Sequence, residues 1–183
     1  TARKVAAAAG SVTDIAWTNS QGAVSWWKIN AIGQIAYSPT YGPYAGWTLV
    51  DFAANADGSA RLLWENANGT VSFWKVDAGG NISYSNLMGP FGDWSAIHIA
   101  AGAGGETSLL WTNHSGQASF WTIDANNKAA YSNVYGPFAG WVCTTVAIGP
   151  GPSCSQSFST APLSTRTVSV IRSWIAARSA SAS

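Results

Sequence analysis

Charge is scarce in this chain. Of 183 residues only 9% are Asp, Glu, Lys or Arg, and the formal net charge is +1. Nucleic-acid binding needs clustered basic side chains that displace counterions from phosphates, and so neutral a balance gives it no support. Histidine is scarcer still: His98 and His114 are the only two. No Ser/His/Asp or Cys/His set surrounds them, and no ligand spacing suggests a metal, so no catalytic residue, metal or cofactor is expected. Two cysteines, Cys143 and Cys154, allow one disulfide or two free thiols and leave the redox compartment open. No run approaches the roughly 18 apolar residues of a membrane helix. The opening TARKVAAAAGS has too short an apolar stretch for a secretory leader. A processed secreted chain would look the same, so localisation stays open, secretion included.

What the chain has instead is aromatic residues: 11 Trp, 6 Tyr and 6 Phe. They recur. Trp17 opens WTNSQGAVSWWKINAIGQIAYSPTYGPYAGW, Trp64 opens WENANGTVSFWKVDAGGNISYSNLMGPFGDW, and Trp111 opens WTNHSGQASFWTIDANNKAAYSNVYGPFAGW. Each Trp stands 47 residues after the last. A fixed period of roughly 20–50 residues signals a solenoid, a propeller or a similar array. The middle copy predicts four strands: A over 48–53, B over 60–65, C over 70–76 and D over 81–86. Turn residues separate them: Ala56-Asp57-Gly58, Asn68-Gly69, and Asp77-Ala78-Gly79-Gly80. Such pairs supply the positive φ of tight hairpins, and four hairpin-linked strands make an antiparallel meander. Strands B and C are apolar on both faces, which requires neighbours on both sides.

Residues 1–149 thus hold three whole repeats and, from Trp141, the first strand of a fourth. After Gly149 the frame fails, and Phe158 stands where the next Trp would fall. Residues 150–183 are Ser-rich and lack Asp and Glu. They are open to three readings: a degenerate fourth repeat, a separate closing segment, or a tail foreign to the array.

Small residues in strand A, an apolar strand B before a Gly turn, strand C ending in Asp, and a Gly-rich link to the next Trp form a pattern. It is similar to the blades of lectin β-propellers of the tachylectin and tectonin types and their bacterial relatives. The resemblance covers residues 1 to about 149 and lies in blade architecture, not in a sugar-contact motif. It implies an all-β fold of four-stranded antiparallel blades. A β-trefoil, with three four-stranded repeats, is the alternative. The Ala-rich strand A, suited to a crowded channel wall, and the doubly apolar B and C strands favour the propeller. Closure takes about 4 to 8 blades, so three and a fragment need either a real fourth blade from the tail or completion by a homo-oligomer, and the homo-oligomer is the favoured expectation.

In a meander the B–C turns and D–A links share one rim. There the repeats gather Asn19, Asn66 and Asn113, together with Tyr41, Trp47, Trp94, Tyr135 and Trp141 of the Gly-Pro-aromatic links. Aromatic rings stack on the C–H face of a pyranose, and an amide offers both donor and acceptor to vicinal hydroxyls. These residues are the expected ligand-binding set, in a multivalent lectin for glycans or monosaccharides without catalysis. The in-strand tryptophans (Trp17, Trp64, Trp111, Trp27, Trp74, Trp121) are expected in the core. The alternatives are a protein-interaction or structural scaffold with all its aromatics buried, and, below it, a glycan-processing enzyme assembled from unrepeated acids.

Overall fold

The structure, a computed structural model, describes residues 2–7, 12–131 and 133–149, and of Ala2–Ala7 the strand alone. Among the described residues there are thirteen strands and no helix. Sheet 1 comprises β1 (Ala2–Ala7), β2 (Thr13–Thr18), β3 (Val24–Ile29), β4 (Ile35–Tyr37) and β5 (Thr40–Tyr41). Sheet 2 comprises β6 (Trp47–Ala54), β7 (Ala60–Asn66), β8 (Val71–Val76) and β9 (Ile82–Met88). Sheet 3 comprises β10 (Trp94–Ala101), β11 (Thr107–Asn113), β12 (Ala118–Ile123) and β13 (Ala129–Tyr131). In each sheet the strands pair antiparallel in chain order. The fourth strand of sheet 1 is split at Pro39, which has no N–H to give a ladder, so β4 and β5 both pair with β3. All four strands of a repeat share one sheet, so the repeats form a propeller-like row of four-stranded sheets. The predicted strands of the middle copy lie within two residues of β6 to β9.

The hairpins share one geometry. The residue before the loop gives its N–H to a carbonyl four residues on, and its own carbonyl accepts from the third loop residue: Asn19 with Ala23 and Gly22, Asn66 with Thr70 and Gly69, Asp77 with Asn81 and Gly80. This is a three-residue loop closed by a left-handed residue. Glycine fills the closing place (φ 82° at Gly69) except at Asn127, which holds φ 68°. Each repeat also carries a register shift in its first strand, at Ala2/Lys4, Leu49/Asp51 and Ala96/His98.

The core lies between sheets. Leu62 and Trp64 of β7 pack with Ala16, Val24 and Trp26 of sheet 1. Leu63, between them, packs with Ile99, Leu109 and Trp111 of sheet 3. Alternation along one strand therefore feeds two cores, which is why β7 is apolar throughout and wholly buried from Ala60 to Trp64. Polar side chains reach across the same seams. Lys28 Nζ donates to the carbonyls of Gly58 (2.8 Å) and Ala78 (2.9 Å), in two turns of sheet 2. Lys75, one period on, donates to Gly105 (3.1 Å) and Asp124 (3.2 Å) in sheet 3. Burial holds both ammonium groups below the ordinary lysine range. His98 also reaches across a seam. Its Nδ1 meets the Asp51 carboxylate across the sheet 2–sheet 3 seam, and that carboxylate also accepts from Ile99 N–H at 2.9 Å.

Residues 141–149 lie against sheet 3 through Val146, which is buried with Ala100, Leu110 and Phe120, but they form no strand. The three readings of 150–183 and any Cys143–Cys154 pairing fall outside the described residues.

Candidate functional site: aromatic clefts at the sheet seams

The first two Gly-Pro-aromatic links leave one sheet and enter the next, and the third leaves sheet 3 for residues 141–149. In all three the Gly–Pro bond is cis (Gly42-Pro43, Gly89-Pro90, Gly136-Pro137), and the carbonyl of the aromatic residue accepts from the Trp that follows. These bonds are Trp47 N to Tyr44 O at 3.0 Å, Trp94 N to Phe91 O at 3.1 Å and Trp141 N to Phe138 O at 2.9 Å. The link runs beside the next sheet's second hairpin, where Ala67 N–H reaches Gly46 O at 2.8 Å. B–C turns and D–A links therefore do share a rim.

Here the link meets a tryptophan pair. Trp64 of β7 and Trp74 of β8 have ring centroids 4.9 Å apart. Tyr44 meets both nearly edge-on, at 5.7 and 5.3 Å. The next seam repeats this: Trp111 and Trp121 lie 4.7 Å apart, with Phe91 at 5.4 Å from each. A cleft of about 610 Å³ opens over the first trio, walled also by Trp47, Ser72, Asn86 and Leu87. One of about 220 Å³ opens over the second, walled by Trp94, Ser119 and Val134 as well. The serines are small side chains on the same strand face as Trp74 and Trp121, and they leave the indole faces uncovered. No Asp, Glu, Lys, Arg or His lines either cleft. Such walls can stack on an apolar face and hydrogen-bond neutral hydroxyls.

One polar feature recurs in every repeat. The indole N–H groups of Trp17, Trp64 and Trp111 are buried and have no protein acceptor among the described residues. Buried donors ordinarily find a partner. Three at equivalent places, two of them on tryptophans that wall clefts, mark the same point of each repeat as short of an acceptor.

The expected site residues separate into groups. Trp47 and Trp94 wall the two clefts. Trp141 is exposed at the end of the third link. Tyr41 is buried, with its hydroxyl donating to Gly80 O at 2.9 Å and its pKa pushed up by desolvation. Tyr135 stacks on Phe120 at 6.1 Å. Asn19, Asn66 and Asn113 stand beside the links, but their Oδ1 atoms accept backbone N–H groups of their own turns: Gln21 and Ala23, Asn68, and Gln117. Asn113 Nδ2 is also bonded, to Gln117 at 2.8 Å. These amides are held by the hairpins.

The residues that sequence reasoning missed are Trp74 and Trp121, expected in the core and in fact half-buried cleft walls, with Tyr44 and Phe91. Trp64 and Trp111 are core residues, as expected, that also present an edge to a cleft. The signal was the alternation of strand C. Val71 and Phe73 point one way, and Ser72 and Trp74 the other, with a serine too small to cover the indole.

Among the described residues no group of three or more His, Cys, Asp and Glu could hold a metal, and no helix is long and apolar enough to cross a membrane. No family model and no curated protein matches the chain. Among solved structures it is similar to a protein of unknown function from Bacteroides caccae, with a TM-score of 0.46 and 13% identity over 73% of this chain and 45% of that one. The chain thus spans less than half the length of that neighbour.

Proposed function

We propose that the chain is a multivalent carbohydrate-binding protein whose sites are the aromatic clefts between consecutive sheets. The sheets act as blades of a propeller closed by self-association, and no chemistry is done on the ligand. The observation that carries this reading is the recurrence, one 47-residue period apart, of a tryptophan pair, an edge-on aromatic, a link tryptophan and a serine around an open cleft. The ligand is a neutral saccharide. Its C–H face stacks on indole, and its hydroxyls take bonds from Ser72 and Asn86 in the first cleft and from Ser119 in the second. An uncharged cleft gives no counter-ion to a sulfated or sialylated sugar. Each cleft is shallow and binds weakly, but several on one assembly raise the affinity for a surface bearing many copies of the sugar.

The test is a glycan array with the wild-type chain and with Trp74→Ala and Trp121→Ala, each checked by circular dichroism. The wild type is expected to bind a narrow set of neutral glycans, with inhibition by the free monosaccharide. Either substitution should weaken binding at least tenfold with the sheets intact. Asn66→Ala should lower stability and leave affinity nearly unchanged. A blank array from folded protein, or loss of binding only through Asn66, overturns this reading; a blank array would favour the scaffold alternative.

A further inference from the structure

Two of the three links are used, and the third is spare. Tyr44 seats on Trp64 and Trp74, and the strand that follows, β6, pairs with β7, which carries Trp64. Phe91 seats on Trp111 and Trp121, and β10 pairs with β11 in the same register. The third link ends differently: Phe138 is 64% exposed, Trp141 47% and Val142 75%. In frame its receivers would be residues 158 and 168, which are Phe158 and Val168. At the other end of the row stands a receiver that no link of the described chain reaches. Trp17 and Trp27 form the same pair, 5.0 Å apart at 44°, against 4.9 Å and 43° for Trp64 and Trp74.

The strands match as well. Ala2 lies opposite Trp17 as Leu49 lies opposite Trp64, so β1 holds β2 as residues 49–54 hold β7. Residues 143–148 are the next copy of residues 49–54, and they carry no ladder partner. A strand that displaces an equivalent one exchanges ladder bonds nearly one for one. The gain is then whatever else the incoming segment buries.

We propose that two copies exchange this segment. Residues 143–148 of one copy take the place of Ala2–Ala7 along β2 of the other, and Phe138 seats on the partner subunit's Trp17 and the partner subunit's Trp27. Exchanged both ways, the segments close a ring of six sheets, within the usual 4 to 8. The junction forms a third aromatic cleft that neither copy completes alone, with Phe138 and Trp141 from one chain and the tryptophan pair from the other. The proposal rests on the propeller part of the function proposed above and is independent of the sugar.

One contact of the inner seams is missing from the junction. Thr122 stands where the frame places the third lysine after Lys28 and Lys75. No ammonium reaches the partner subunit's Ala31 there, the counterpart of Ala78. The junction is therefore weaker than the inner seams, and the assembly depends on concentration.

Sedimentation equilibrium of the full chain over a range of concentrations tests this. The expected result is a reversible equilibrium between one and two chains. Phe138→Ala should weaken it at least tenfold, with an unchanged circular dichroism spectrum because the side chain is exposed in the single chain. Thr122→Lys should tighten it at least tenfold. A single-chain mass at the highest soluble concentration overturns the proposal, as does an association indifferent to both substitutions. A mass of three chains, or an open series, overturns the ring of six. A blank glycan array leaves the mass result standing, so the two readings fail separately.

Discussion

Asp14 is buried on β2 and accepts a hydrogen bond from Trp26 Nε1 at 2.6 Å. Burial pushes its carboxyl above the ordinary range, against the pull of that bond and of Lys28. The folded state therefore binds the proton more readily than the unfolded chain. Its penalty is absent below the ordinary carboxylate range and grows as pH rises towards the folded-state value. Asp14→Asn keeps an acceptor for Trp26 and removes the charge. We expect its Tm to exceed wild type by about 2 °C or more at neutral pH, roughly 0.5–1 kcal/mol for a chain of this size. The gap should close towards pH 4, as measured by thermal melts across that range. Residues like this show what the sequence hid. Trp17 and Trp27 read as core because they sit among apolar neighbours in strands, and so did Trp74 and Trp121. Hydrophobic alternation tells one strand face from the other. It does not tell a face covered by the next sheet from one left open where the link crosses, since that depends on residues half a period away.

The elements themselves were legible. Asn-Gly and Asp-Gly pairs marked the hairpins, and their spacing gave the strands of the middle copy to within two residues, because turn chemistry is local. The loop length was less plain: a three-residue loop needs its positive φ at the third place, where most copies have glycine and the third repeat has Asn127. Asn127→Gly should raise stability by about 0.5–1 kcal/mol, since the left-handed backbone costs glycine less. Gly80→Ala should do the reverse. Gly80 has φ 79°, and a methyl group there would collide with the Tyr37 hydroxyl, which donates to Gly79 O. We expect a loss of at least 1–2 kcal/mol in denaturant melts, and a weaker seam between sheets 1 and 2. The Asn rim follows the same local logic. Its position followed from the meander, but an Asn beside a turn first meets its own backbone.

Across the whole molecule, the sheets are held in a row by contacts that one repeat makes to the next. Lys75 is buried yet bonded only to carbonyls 30 and 49 residues ahead. Sequence gave no hint of this, because a lysine in a strand reads as solvent-facing and its partners carry no side-chain signature. Lys75→Met keeps the aliphatic stem and deletes the charge-assisted bonds. We expect a loss of about 1.5–3 kcal/mol, seen as a lower melting temperature with sheet 3 exchanging amide hydrogens first. These latches share a direction. Lys28, Tyr37, Tyr41 and Tyr44 all reach towards residues that follow them in the chain. During synthesis the first repeat therefore leaves the ribosome with these side chains short of their partners in the second until the next 47 residues emerge. A nascent chain held at one repeat should remain protease-sensitive, and one held at two should protect its first. Folding would then trail translation by one repeat, with the ribosome metering the order in which the seams form.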